Sequence, residues 1–189
     1  IMLKTLLILF SIVYYSYALP AFPGAEGFGS ESPGGRGGKV IVVENTNGDG
    51  PGSLHEALTT KGPRIIVFRV GGTITFKETM RIQEPYVTVL GQTAPGKGIA
   101  LAVDGSEGGR VMAIQTNDVV FRHLRIRPGA SDKPSCCRDG LMVYRGSNVV
   151  LDHISVSWST DENIGSWFGA HNVTWSNGIT SEGLYNSNH

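Results

Sequence analysis

From residue 39 onward, apolar and polar positions alternate in short runs separated by Gly, Asn, Asp or Ser. Three runs read as one pattern: Val119-Val120-Phe121-Arg122-His123-Leu124-Arg125, Val149-Val150-Leu151-Asp152-His153-Ile154-Ser155 and Val173-Thr174-Trp175-Ser176-Asn177-Gly178-Ile179. Each opens on a β-branched residue preceded by Asp118, Asn148 or Asn172, and the spacings are 30 and 24 residues. An earlier copy, Val87-Thr88-Val89-Leu90-Gly91-Gln92, lies 32 residues before the first. β-rich segments recurring at such a period, each too small to bury its own apolar face, predict a stacked solenoid. Uneven spacing suits an all-β, right-handed parallel β-helix, in which stacked strands keep register while the turns between them vary in length. The unequal loops then become the functional surface, carried by rigid coils.

The same reading places strands at residues 39–43, 64–70, 73–76, 87–90, 99–103, 111–114, 119–126, 141–144, 149–156 and 173–175. One short helix is expected after Ser53, which can cap it with Glu56 three residues on, and Leu54, Ala57 and Leu58 give it an apolar face. Lys61-Gly62-Pro63 ends it. Such a helix would cap the exposed first coil, where an open sheet end invites aggregation. No second helical period competes, which argues against βαβ folds, and tight two-residue hairpins of the kind an antiparallel sandwich needs are few.

Composition narrows the class. Sixteen basic residues balance 16 acidic ones, so no nucleic-acid partner is expected. Twenty-six Gly and nine Pro are spread as punctuation and do not gather into a low-complexity tract. Residues 1–18 read as a secretory signal peptide: Lys4, an apolar run from Leu6 to Tyr15, then Ser16-Tyr17-Ala18 with small residues before the cut. The run is short of the roughly 20 residues a membrane span needs, so a secreted, extracellular protein free of membrane is expected, with residues 19–189 forming the domain. The two cysteines, Cys136 and Cys137, are adjacent; neighbours pair only through a strained ring, which leaves partners beyond residue 189 open. The sequence stops at His189 straight after a repeat, so the solenoid is expected to be truncated at its C-terminus.

Several segments, in order, resemble the pectate lyases of polysaccharide lyase family 1. They are Ala21-Phe22-Pro23-Gly24-Ala25-Glu26-Gly27-Phe28-Gly29, Gly34-Gly35-Arg36-Gly37-Gly38, Gly50-Pro51-Gly52-Ser53-Leu54 and Gly71-Gly72-Thr73-Ile74. Further on come Gly91-Gln92-Thr93-Ala94-Pro95-Gly96, Arg122-His123-Leu124-Arg125-Ile126-Arg127-Pro128-Gly129, and Asp152-His153 with Ser157-Trp158-Ser159-Thr160-Asp161-Glu162. The resemblance implies a β-helix that cleaves de-esterified pectin, polygalacturonate, by calcium-dependent β-elimination. It also implies an arginine base downstream of His189, so no catalytic residue is assigned within these 189 positions.

Calcium wants clustered hard oxygens. The family's calcium aspartate sits thirteen residues before its Asp-His motif, which falls here on Asp139; Asp161 and Glu162 lie where the family places its other calcium carboxylates, on a shorter loop. The metal set expected is therefore Asp139, Asp161 and Glu162, against the plainer alternative of solvated loop acids. Arg125 and Arg127 are candidates for binding substrate carboxylates, against ordinary surface pairing. Alternation puts Val150, Asp152 and Ile154 on one face and Val149, Leu151 and His153 on the other, so Asp152 or His153 is expected to be a buried structural polar group. His123 and His153 should stack; a metal held by these two lacks a third ligand at sensible spacing. Asn172-Val173-Thr174 is a glycosylation sequon, although Asn148 and Asn172 also match as turn residues of a stacked ladder. A monomer acting on pectin is the leading expectation. The rivals are a pectin hydrolase on the same fold, which needs paired acids, and a secreted β-helix that binds polysaccharide without cutting it.

Overall fold

The structure is a computed structural model that describes residues 19–104, 109–130 and 138–185. The predicted signal peptide, Cys136 and Cys137 lie outside the described residues. The elements are β1 (Lys39–Val43), α1 (Leu54–Thr59), β2 (Arg64–Phe68), β3 (Gly72–Phe76), β4 (Met80–Ile82) and β5 (Val87–Leu90). A 3-10 turn (Gly91–Thr93) precedes β6 (Ile99–Val103), β7 (Met112–Ile114), β8 (Val119–Arg122), β9 (Leu124–Ile126) and β10 (Leu141–Tyr144). The last five are β11 (Ser147–Asp152), β12 (Ser155–Ser157), β13 (Ile164–Trp167), β14 (His171–Ser176) and β15 (Ile179–Ser181).

Three parallel sheets wrap one core. The first is ordered β1-β2-β5-β8-β11-β14, the second β3-β6-β9-β12-β15 and the third β4-β7-β10-β13. The chain visits first, second and third sheet in turn, so each circuit lands on the one before in register: Val87 on Val119, Val119 on Val149, Val149 on Val173. The all-β solenoid is thus as expected. Inward residues of all three sheets, among them Ile66, Ile74, Ile82, Phe121, Ile126, Leu141, Leu151 and Val156, form one continuous buried core.

Register continues through the corners because single residues there adopt left-handed backbone. They are Tyr86, Asp118, Asn148 and Asn172 ahead of the paired valines, His123, His153 and Asn177 between first and second sheets, Trp158 and Glu182 after the second, and Arg145 and Phe168 after the third, with φ from 51° to 71°. For a residue with a Cβ this costs roughly 1–2 kcal/mol. The return is an unbroken ladder: His123 N donates to Asp152 O and His153 N to Ser176 O, both at 3.0 Å, and Trp158 N to Glu182 O at 3.0 Å. A corner that left these N–H groups buried and unmade would cost a comparable amount.

These corners correct two strand predictions. The runs 119–126 and 149–156 are each two strands of different sheets, bent at His123 and His153. The bend resets the alternation, so Ile154 faces the core with Val149 and Leu151 while Asp152 faces outward. Three short strands, β4, β13 and β15, were not predicted; at three or four residues each they carry too few alternations to register.

Helix α1 closes the first coil as expected. Ser53 Oγ accepts from Glu56 N, and Glu56 Oε2 reaches back to Gly52 N at 2.7 Å. Leu54, Ala57 and Leu58 are buried. Arg64, fully buried, ties the helix down by donating to the carbonyls of Ala57, Leu58, Glu84 and Pro85.

The glycine-rich leading segment crosses the outside of the first sheet. Gly35 N donates to Thr88 Oγ1 and Gly29 N to Thr174 Oγ1, both 2.9 Å. At Gly35 a Cβ would overlap the carbonyl of Arg64, and at Gly29 that of Val149, so only glycine lets the backbones touch. Val120 and Val150, which point outward, are buried on this face of the sheet.

Asp152 is the knot of that corner. Its Oδ2 accepts from Arg122 Nε and Nη2 at 2.8 Å and lies 2.9 Å from His153 Nδ1, while Oδ1 accepts from Ser176 Oγ and Asn177 Nδ2. Burial alone would push its carboxyl up, but the donors, Asn177 first, outweigh it and hold it well below the usual carboxylate range. The Arg122 guanidinium lies 3.8 Å from the centre of the Phe22 ring, joining the knot to the leading segment. We expect Asp152→Ala to lower unfolding stability by about 1–3 kcal/mol, because it strands a largely buried guanidinium. Because the folded-state pKa is depressed, the contribution of Asp152 is present above the ordinary carboxylate value and lost as pH falls below it. Melting curves of the two proteins should therefore converge in strong acid, and a constant gap at every pH would refute the assignment.

Candidate metal centre

The register of the third sheet builds this site. Arg110, Asp139 and Glu162 each stand two residues before β7, β10 and β13, whose first residues pair as Met112 with Leu141 and Leu141 with Ile164. They therefore occupy one stacked position in three successive coils, spaced by the roughly 4.8 Å between parallel strands. Backbone bonds from Val111 N to Asp139 O and from Gly140 N to Glu162 O fix that alignment. Like charges directly opposite on neighbouring strands repel, and Asp139 over Glu162 is such a pair.

Asp161 joins them. Ligand atoms of Asp139, Asp161 and Glu162 all lie within 4.8 Å of one another. Asp139 is only 1% exposed. Its Oδ2 meets Arg110 Nε at 2.8 Å, while its buried Oδ1 has no hydrogen-bond donor among the described residues. Burial, opposed by Arg110 and reinforced by Glu162 and Asp161, pushes its carboxyl up to about 6. A buried carboxylate oxygen without a donor, facing two more carboxylates, is a set of hard oxygen donors suited to a divalent cation such as calcium. The donor set fits that ion and offers no soft ligand.

The loop holding the cluster is pinned from behind. Thr160 N donates to Arg138 O and Arg138 N to Thr160 Oγ1. The Arg138 side chain, next to Asp139 in sequence, donates to the carbonyls of Pro128 and Ala130.

Other predicted site residues lie elsewhere. Arg125 and Arg127 sit on the outer side of the second sheet. Arg127 donates to Ser155 O and Ser155 Oγ at 2.8 Å and lies 5.6 Å from the Trp158 ring centre, so its guanidinium is bound to protein. His123 and His153 do stack, with centroids 4.4 Å apart at 21°. Asp152 comes within ligand distance of both and supplies the third group that sequence spacing did not show, but its oxygens are already taken by Arg122, His153, Ser176 and Asn177. Asn172 Nδ2 donates to Asn148 Oδ1 at 3.2 Å, and Asn148 Nδ2 to Asp118 Oδ1 at 3.1 Å, so the expected ladder is present. Arg110 was missed by sequence reasoning. Its place above Asp139 follows only from the register of β7 on β10, which the sequence does not show.

Comparison with known proteins defines the class. No family model matches the chain. It is 41% identical over 182 residues to probable pectate lyase C of Emericella nidulans, covering 96% of this chain and 41% of that protein. It is 42% identical over 167 residues to probable pectate lyase C of Neosartorya fischeri, covering 88% and 38%, and 27% identical over 173 residues to probable pectate lyase 18 of Arabidopsis thaliana, covering 81% and 40%. Among solved structures, the crystal structure of jun a 1, the major allergen from cedar pollen, superposes with a TM-score of 0.67 at 21% identity, covering 82% of this chain and 49% of that one. The fold is a pectate lyase-like parallel β-helix. By sequence the chain is a homologue of the pectate lyases, and it spans about two fifths of the length of the curated relatives it matches.

The raised pKa of Asp139 gives a signed expectation. Its protonated form fits the fold better, so in chelator that contribution is fully present below the ordinary value of 3.8 and lost as pH rises through about 6. The melting temperature in chelator should fall across that window, and Glu162→Gln should flatten the fall. A flat wild-type profile would contradict the stacked-carboxylate picture.

Proposed function

We propose that the protein containing this chain is a secreted pectate lyase, cleaving de-esterified pectin by calcium-dependent β-elimination. The observation that carries the reading is the triad Asp139, Asp161 and Glu162, held at one corner of a fold and sequence shared with pectate lyases. Elimination removes the weakly acidic proton beside the sugar carboxylate and expels the glycosidic oxygen, so negative charge builds next to an anion. A calcium ion held by Asp139, Asp161 and Glu162 would supply the positive charge that neutralises the substrate carboxylate.

The protein's own groups do the rest of the positioning. Arg110 keeps one oxygen of Asp139 in place and leaves the other clear. The ladder bond from Gly140 to Glu162 sets the separation of the two coils. We assign no base among the described arginines nearest the site. Arg110 pairs with Asp139, Arg127 with Ser155, and Arg138 with loop carbonyls. A sequence-stacked pair of acids also suits a hydrolase, but the clustering within 4.8 Å is tighter than the roughly 5–9.5 Å between carboxyls that glycoside hydrolysis uses. Secretion follows from residues 1–18 as a signal peptide, and a glycan on Asn172 would replace its bond to Asn148.

The test is release of unsaturated uronides from polygalacturonate, followed by ultraviolet absorbance with calcium and with chelator. Product should form only with calcium. New reducing ends without absorbance would support the hydrolase, and neither would support a binding module. Asp139→Ala should raise the calcium concentration needed for half-maximal rate at least roughly tenfold, the loss of about 1.4 kcal/mol or more of cation binding.

A further inference from the structure

The stacked position that carries Asp139 and Glu162 continues through Arg110 to Glu78, since Met80 pairs with Met112 and Met112 with Leu141. Read coil by coil, the row is acid, base, acid, acid, with Glu78 exposed at its start. Arg110 is fixed from two sides. Its backbone N donates to Thr79 Oγ1 at 3.1 Å, and its guanidinium carbon lies 4.9 Å from the centre of the Tyr144 ring. Tyr144 is stacked in turn on Phe168, with centroids 5.5 Å apart. The Arg110 side chain is 33% exposed and the Asp139 side chain beside it 2%.

The contact between Arg110 and Asp139 is one of charge more than of hydrogen bonding. Nε and Oδ2 are 2.8 Å apart, yet Nε is buried and its N–H is aligned on no acceptor among the described residues. A structural arginine aims its donors, as Arg64 does at the carbonyls of Ala57 and Leu58. Arg110 instead places a fixed positive charge against three carboxylates gathered within 4.8 Å. Three carboxylates and one guanidinium leave two negative charges, the amount that one divalent ion neutralises. Across a single carboxylate, a guanidinium repels a bound cation in proportion to the charge of that cation. Salt screens such a partly buried pair only weakly. This repulsion exceeds what one misaligned contact contributes to holding Asp139 in place.

We propose that Arg110 is the built-in counter-charge of the carboxylate centre: it holds down the affinity of Asp139, Asp161 and Glu162 for cations and matches the centre to a divalent ion. The inference rests on the cation-binding part of the lyase reading, and adds that the resting affinity is set by a cation of the protein's own. Without Arg110 the centre carries three negative charges and suits a trivalent ion. Arg110 is therefore a specificity-determining residue, acting on the ion through its field.

Calorimetric titration of the full-length protein containing this chain with calcium and with terbium, at about pH 7.5 where carboxylates are mostly ionised, reads that field. Arg110→Gln should bind calcium at least roughly tenfold more tightly. Terbium should gain still more, because the logarithm of the gain scales with ionic charge, about three to two. Arg110→Lys keeps the charge and should bind both ions much as wild type does, whereas Glu162→Gln removes a ligand and should weaken both. Melting curves give a second reading and a check on folding. In chelator Arg110→Gln should melt below wild type, and saturating calcium should close most of the gap, since the tighter site gains more from its ion. Weaker or unchanged calcium binding by Arg110→Gln, equal gains for the two ions, a Lys variant that behaves as Gln does, or no cation bound by any of these proteins would overturn the proposal. If the affinities follow the expected order but polygalacturonate yields no unsaturated product, the lyase reading fails and the counter-charge stands. If product forms only with calcium while Arg110→Gln binds calcium no better, the lyase reading stands and the counter-charge fails.

Discussion

Everything in this molecule depends on one constraint: each coil must land on its predecessor with no shift in register. Parallel pairing without slip puts valine over valine at the start of the first sheet and makes each inward row continuous with the next. A slip of one residue would turn the whole inward set to solvent. The corner residues are where that constraint is met. Bulky side chains such as Tyr86, Phe168 and Trp158 accept a left-handed backbone, a strain of roughly 1–2 kcal/mol each, because the alternative breaks the ladder on both neighbouring coils.

The same constraint concentrates charge. In most folds two acids in neighbouring strands can slide apart, but here Asp139 and Glu162 are held one coil apart by the backbone ladder. Arg110, one coil further, neutralises only half of the pair. A surface with fixed register can thus hold repulsion in place at one point while the rest of the molecule balances it, so the three carboxylates stay clustered with no cation between them.

How much of this was written in the sequence varies by scale. The solenoid was plain, because copies opening on Val119, Val149 and Val173 carry both the period and the turn residues before them. The capping helix was plain for the same local reason, with Ser53 and Glu56 at the right separation. What could not be read was where a strand turns. His123 and His153 look like strand interior, and only their backbone geometry shows a corner, so the facing of Asp152 and Ile154 depended on tertiary structure. The triad was found through family resemblance, while Arg110 stayed hidden because it pairs across 29 residues and no local pattern announces it. Arg127 illustrates the converse. Its charge suggested a ligand, yet its neighbours in space are Ser155 and Trp158.

The leading segment changes what kind of polymer this is. A stack of repeats held only by neighbours behaves as a one-dimensional array, free to fray from either end. Here one stretch of backbone reaches from Pro63 beside β2, through Thr88 on β5, to Thr174 on β14. Loosening the coil of β14 then means releasing the leading segment as well, so local opening there is coupled to opening of the coils before it. A protease then meets few partly frayed molecules to cut, and susceptibility follows the slow event of opening these coils together. The glycines that let the backbone lie so close are, in that sense, the resistance of the protein to digestion.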